Sequence, residues 1–141
     1  MNSRKRYKKS ELINFTYNIL KKVGLNNSNS KIISDLIIRA DERGVWSHGI
    51  VRLPVYVNRI EKKAAKKNPN FKFKKISNNI FHLSGDNGLG YLAANAGIKK
   101  CVALAKEKGI GLVAISKSNH FGMAANYLEF ASKNKCIAWV Y

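Results

Sequence analysis

The chain has 141 residues and a mass of 15.8 kDa, the size of one ordinary domain. Apolar residues make up 45%, enough for a real core, which excludes a disordered tail or low-complexity linker for most of the chain. Lys and Arg number 26 against 8 Asp and Glu, and the resulting net charge of +18 raises the question of nucleic acid.

Charge alone does not answer that question. Lys accounts for 20 of the 26 basic residues, and Lys, Asn and Ile together fill 50 of the 141 positions. This is as much a general compositional bias as selection for a polyanion. Lys also lacks the planar fork with which Arg reads phosphate. The two cysteines, Cys101 and Cys136, stand in apolar surroundings at no spacing that suggests zinc or a disulfide framework. Buried thiols in a reducing compartment are expected. The apolar run from Ile110 to Ile115 is six residues long, against the about 20 that a membrane span needs. The basic N-terminus leads into an amphipathic segment without a small-residue cleavage site, so no signal peptide is read and a cytoplasmic protein is expected.

In chain order, residues 1–9 form a basic tail. Ser10 can cap a helix with Leu12, Phe15, Ile19 and Val23 on its apolar face and Gly24 at its end. A turn and cap at 26–30 precede a helix that carries Ile32, Ile33, Leu36, Ile37 and Ala40 and ends near Gly44. The stretch 45–60 reads as mostly helical, with Pro54 either opening a helix or kinking one. Residues 61–75 hold seven Lys and a single acidic residue, a solvated helix end and loop.

After this the pattern changes. Residues 79–83 read as a strand and 84–90 as a turn. A helix over 91–108 carries Ala94, Gly97, Ile98, Cys101 and Ala105 on one face, small enough to lie close to a sheet. Residues 110–115 read as a strand buried on both faces, 116–122 as a loop. Met123, Tyr127, Leu128 and Ala131 mark a further helix, and 136–141 reads as another buried strand. The expected class is α/β with α+β character. A helical region at 10–67 is followed by a mixed sheet with covering helices over 68–141. The sequence stops inside an apolar strand, so the first part of a longer chain is expected.

Three constellations carry chemistry. The first is Ser47, His48 and Gly49 with Arg52 and Tyr56. In a helix, His48, Arg52 and Tyr56 share a face, and Ser47 could cap it. Arg52 offers a bidentate grip for a carboxylate, and His48 a proton donor or acceptor near neutral pH. The plainer reading is a surface helix with Arg52 paired to Asp41, Glu42 or Glu61. The second is Ser118-Asn119-His120-Phe121-Gly122, after the carboxyl end of a strand and before a helix, where ligands of open α/β sheets gather. Its plainer reading is a turn in which Asn119 and His120 satisfy backbone groups. The third, Gly85 to Gly90, has glycines spaced G-x-x-G-x-G, which favours a structural turn over a phosphate loop. His82 alternates with apolar neighbours and reads as structural. The histidines at 48, 82 and 120 form no metal set.

Residues 40–60 (ADERGVWSHGIVRLPVYVNRI), 85–90 (GDNGLG) and 109–127 (GIGLVAISKSNHFGMAANY) resemble one family, the malate/L-lactate dehydrogenases. The group includes sulfolactate, ureidoglycolate and diketogulonate enzymes and is distinct from the Rossmann-type lactate and malate enzymes. The resemblance implies a sulfolactate-dehydrogenase-like fold and a homodimer. It implies an oxidoreductase that uses NAD or NADP to interconvert 2-hydroxy and 2-oxo acids. By motif match, His48 stands where the family places an active-site proton donor and His120 where some members are assigned a proton acceptor. Arg52 matches a substrate-carboxylate position, with Ser47 and Tyr56 lining the same pocket. Family members are longer, and their dinucleotide contacts are expected mostly beyond residue 141. Ser84 departs from the acidic residue common at that place. Two other readings remain: a truncated, inactive remnant of such an enzyme, and a basic module that binds a polyanion through 61–75 and the N-terminal tail.

Overall fold

The structure is a computed structural model that describes residues 6–141, so the first five residues of the basic tail lie outside it. Helices come first. α1 (Lys9–Lys22) and α2 (Asn27–Glu42) pack against each other. Asn26 caps α2, its Oδ1 accepting from the Asn29 amide at 2.8 Å. The start of α1 lies one residue ahead of the expected Ser10 cap, with Lys8 in the N-cap position. Phe15 is 55% exposed and leaves the face assigned to it, while Thr16 and Leu20 are buried.

The next stretch is not one helix. Two 3-10 turns, Trp46–His48 and Ile50–Arg52, precede α3 (Leu53–Glu61). Pro54 opens α3 rather than kinking a longer helix, because the first turn needs no amide from it.

The sheet has three strands in the order β1-β2-β3. β1 (Lys72–Lys75) runs antiparallel to β2 (Ile80–Gly88), and β3 (Leu112–Ser118) parallel to it. β1 lies inside the segment expected to be a lysine-rich loop. β2 continues to Gly88 through the expected turn, with an irregularity between Ser84 and Gly88 and positive φ at Asp86 and Asn87. α4 (Gly90–Lys108) makes the crossover between the parallel strands, as parallel pairing demands. α5 (Ala125–Lys133) follows β3.

The core lies where the helices meet one another and the sheet. Leu20, Ile33, Ile37, Tyr91 and Tyr127 are at most 2% exposed in it. Each such side chain contributes about 1.5–3 kcal/mol by leaving water. The small face of α4 does lie close to the sheet, since a Cβ on Gly97 would come 3.0 Å from Ile115 Cδ1. Ties between α2 and α5 are polar: Asn126 Nδ2 donates to the Leu36 carbonyl at 3.0 Å, and Glu129 bridges Arg39 and Arg43.

Two further expectations fail. β3 is not buried on both faces, for Leu112 is 48% and Ile115 38% exposed. α4 covers one side of this edge strand and no described element covers the other. The segment 136–141 is not a strand. Cys136, Ala138 and Val140 pack on the core while Ile137, Trp139 and Tyr141 face out. The period-two apolar pattern is there, but no described strand lies beside it to accept a ladder.

Candidate active site

Four separate elements converge on His120. The loop after β3 carries it, α3 brings Tyr56, α4 brings Tyr91, and the first 3-10 turn brings His48. The His48 and His120 rings stack with centroids 5.4 Å apart and 25° between planes. Tyr56 Oη lies 3.0 Å from His120 Nδ1 and 3.0 Å from Tyr91 Oη. The Gly122 amide donates to the same Nδ1 at 3.2 Å.

The sequence builds this local geometry through close backbone approach. Gly90, the first residue of α4, gives its amide to the His120 carbonyl at 3.1 Å. A Cβ there would stand 2.1 Å from the Asn119 carbonyl oxygen. Asn119 is held on both sides: its Nδ2 reaches carbonyls of Asn87 and Gly88, and its Oδ1 accepts from Arg59 Nη1 at 2.8 Å. Asp41 anchors the turn that carries the other histidine. Its Oδ2 accepts from the Ile50 amide at 2.7 Å, and a Cβ on Gly49 would fall 1.9 Å from Oδ1. Arg52 Nε donates to the Ser47 carbonyl at 2.7 Å. Ser47 Oγ sits 2.9 Å from His48 Nδ1.

The predicted site residues thus come together, but not as one helical face. Ser47 orients His48 within a 3-10 turn and caps nothing. Arg52 pairs with none of Asp41, Glu42 or Glu61. Asp41 is spent on the backbone, and its carboxyl is pushed up by burial, partly offset by the Ile50 bond. Asn119 does satisfy backbone groups, as the plainer reading of its loop held. His82 lies outside the cluster and bonds Ser116 Oγ at 2.8 Å across the sheet. Sequence reasoning missed Tyr91 and Arg59. Tyr91 stands in no motif, and Arg59 lies within the 40–60 segment but apart from its chemical constellation; the Tyr56–Tyr91 and Arg59–Asn119 hydrogen bonds bring them to the site.

The electrostatics favour an anion. Neither Arg52 nor Arg59 has a carboxylate partner among the described residues. Partial burial holds the His120 pKa below its usual value, and the charges of His48, Arg52 and Arg59 lower it further. The Tyr56 hydroxyl is pushed up by burial, against weaker lowering by Tyr91, Arg52 and Arg59.

No phosphate cradle is formed by the glycine segment. The Gly90 amide at the head of α4 is already occupied by His120. A groove of about 600 Å³ between α1 and α3, lined by Lys22, Glu61 and Lys67, holds none of the site residues. No cluster of three or more His, Cys, Asp or Glu among the described residues could hold a metal ion, and none of their helices is long and apolar enough to cross a membrane.

Known proteins resemble this chain along most of its length. A family model described as malate/L-lactate dehydrogenase matches residues 7–141. The chain belongs to the malate/L-lactate dehydrogenase family. A malate/(S)-sulfolactate dehydrogenase of Methanothermus fervidus is 38% identical over 119 residues, 84% of this chain and 35% of the relative. The structure of malate dehydrogenase from Pyrococcus horikoshii superposes with a TM-score of 0.89 at 33% identity, over 92% of this chain and 37% of that one. A sulfolactate dehydrogenase from Methanocaldococcus jannaschii superposes with a TM-score of 0.86 at 32% identity, over 89% of this chain and 37% of the other. The chain therefore spans little more than a third of the length of these family members. Relatives differ in the cofactor they are named for, as in ureidoglycolate dehydrogenase (NAD(+)) of Escherichia coli and (2R)-3-sulfolactate dehydrogenase (NADP(+)) of Chromohalobacter salexigens.

Proposed function

We propose that this chain supplies the substrate side of an oxidoreductase that interconverts a 2-hydroxy acid and its 2-oxo acid. One observation carries the reading. Two arginines without carboxylate partners among the described residues flank a stacked pair of histidines, 5.4 Å between centroids. A 2-oxo acid needs both parts, a cation for its carboxylate and a hydrogen-bonding or proton-transferring group at its C2 oxygen.

Arg52 is the carboxylate holder. Its Nε is fixed on the Ser47 carbonyl, which leaves both Nη groups for a planar anion. Ser47 sets the His48 ring, and Tyr56 sets His120. The histidines act at the C2 oxygen. A nicotinamide cofactor, NAD or NADP, supplies the hydride partner in the whole protein. Its phosphates are held by residues other than the glycine segment described above. The active form is a homodimer in the cytoplasm.

Turnover of NADH and NADPH with a panel of 2-oxo acids tests the reading in the natural full-length product. Oxidation of either cofactor with malate-, lactate- or sulfolactate-type partners is expected. His48→Ala and His120→Ala should each lower kcat by roughly two orders of magnitude, the usual loss when a proton-transferring or hydrogen-bonding group is removed from the reacting oxygen. No oxidation with any partner, together with tight and steeply salt-dependent binding of an oligonucleotide, would replace this reading by a polyanion-binding one.

A further inference from the structure

We propose that the buried pair Tyr91 and Tyr56, with the Gly122 amide, fixes His120 as the Nε2–H tautomer. His120 then meets substrate as a hydrogen-bond donor and not as a proton acceptor. The proposal deepens the function proposed above and rests on it for the word substrate. The tautomer itself does not depend on any activity.

The argument begins at the Gly122 amide. A backbone N–H only donates, and it lies 3.2 Å from His120 Nδ1. Nδ1 must therefore be the unprotonated nitrogen of the neutral ring. Tyr56 Oη, 3.0 Å from the same Nδ1, then has its proton directed at that nitrogen. The Tyr56 oxygen is left to accept, and its other neighbour is Tyr91 Oη at 3.0 Å. So the chain of donors runs one way, from Tyr91 to Tyr56 to His120. Tyr91 is fully buried and Tyr56 1% exposed, so no water competes for these hydroxyls. The neutral ring's proton is left on Nε2, which has no partner among the described residues.

A neutral imidazole with its proton on Nε2 has no lone pair there. It can donate to a carbonyl or alkoxide oxygen at C2 but cannot take a proton from a hydroxyl. Taking one at Nδ1 would oppose the Gly122 N–H. His48 differs. Its Nδ1 faces the Ser47 hydroxyl, which can either donate or accept. That ring can carry its proton on either nitrogen, so the proton-transfer role falls to His48. Tyr91 is thereby a positioning residue that acts through Tyr56, well away from the ligand.

The test is the ¹⁵N–¹H correlation spectrum of the histidine side chains in the uniformly ¹⁵N-labelled natural protein, without ligand. His120 is expected to show a pyridine-type Nδ1 and a protonated Nε2. Tyr56→Phe removes one neutral hydrogen bond to Nδ1 and should shift the tautomer ratio toward Nδ1–H by about fivefold. Tyr91→Phe keeps the buried ring and should shift it the same way by less. His82, bonded to Ser116 on the sheet, is the internal reference. A protonated Nδ1 in the unaltered protein overturns the proposal. So does an unchanged ratio in both variants, or a shift of His82 as large as that of His120. Should the protein oxidise no cofactor at all, the proposed function fails while the spectrum still decides the tautomer.

Discussion

Gly90→Ala measures how strongly backbone contact holds His120 in place. Two effects oppose each other. Alanine is the better helix former and restricts the unfolded chain, a gain of about 0.5–1 kcal/mol. Against this, the new Cβ would lie 2.1 Å from the Asn119 carbonyl oxygen and 2.7 Å from the His120 carbonyl carbon. Both are backbone atoms, so no side-chain rotation relieves the overlap. The loop must move, at a cost of about 1–3 kcal/mol. Movement also strains the Gly90 amide bond to His120, 3.1 Å long, worth about 1 kcal/mol more. The cost wins, and the net expectation is about 2 kcal/mol of destabilisation. In urea, with a slope of about 1–3 kcal/mol/M, the unfolding midpoint should fall by about 1 M at an unchanged slope. The loop shift should also disturb the His120 ring and lower turnover. A variant as stable as the parent, or more so, would refute the close approach of the α4 head to the 119–120 loop.

Three further outcomes follow from the same geometry. Arg52→Lys replaces a planar fork by a point charge, so KM for the 2-oxo acid should rise about tenfold with kcat little changed, and an unaltered KM would remove Arg52 from carboxylate binding. Asp41→Ala leaves the Ile50 amide without its 2.7 Å acceptor, which should cost about 1–3 kcal/mol in chemical denaturation; a neutral result would mean that the turn holds itself. His120 has its pKa lowered from the ordinary 6.5 by partial burial and then by His48, Arg52 and Arg59. The unfolded chain therefore binds this proton more readily. The stability that neutral His120 contributes is complete above pH 6.5 and is lost as pH falls through the lowered value. His120→Gln should lessen the acid-side fall in thermal midpoint, and parallel curves for the two proteins between about pH 5 and 8 would refute the assignment.

The sequence by itself determined the leading helices, the strand–helix–strand–helix succession after them and the chemistry on offer, though not β1. Period 3.6 places α2, whose Ile33, Leu36 and Ile37 are buried as the spacing demands. Small residues on α4 foretell its close approach to the sheet, and the βαβ unit follows from a strand, a helix and a strand in succession. His48, Arg52, Tyr56 and His120 all stand out as chemistry-bearing residue types in short motifs. What local pattern misjudges is exposure. The apolar runs at 110–115 and 136–141 read as fully buried strands, yet Leu112, Trp139 and Tyr141 face outward. Hydrophobicity states a preference for cover, and only the fold decides whether a described element provides it.

Tertiary structure alone decided the site. The helical-face spacing of His48, Arg52 and Tyr56 suggested a shared helix, but two 3-10 turns intervene, and the residues meet because loop, turn and helices converge. Tyr91 stands in no motif, Arg59 lies within the 40–60 segment but apart from its chemical constellation, and the two are 29 and 61 residues before His120, so no short-range pattern ties them to it. The direction of the hydrogen bonds is likewise a tertiary fact. It is set by one amide, Gly122, that can only donate, and by two phenols that burial has cut off from water.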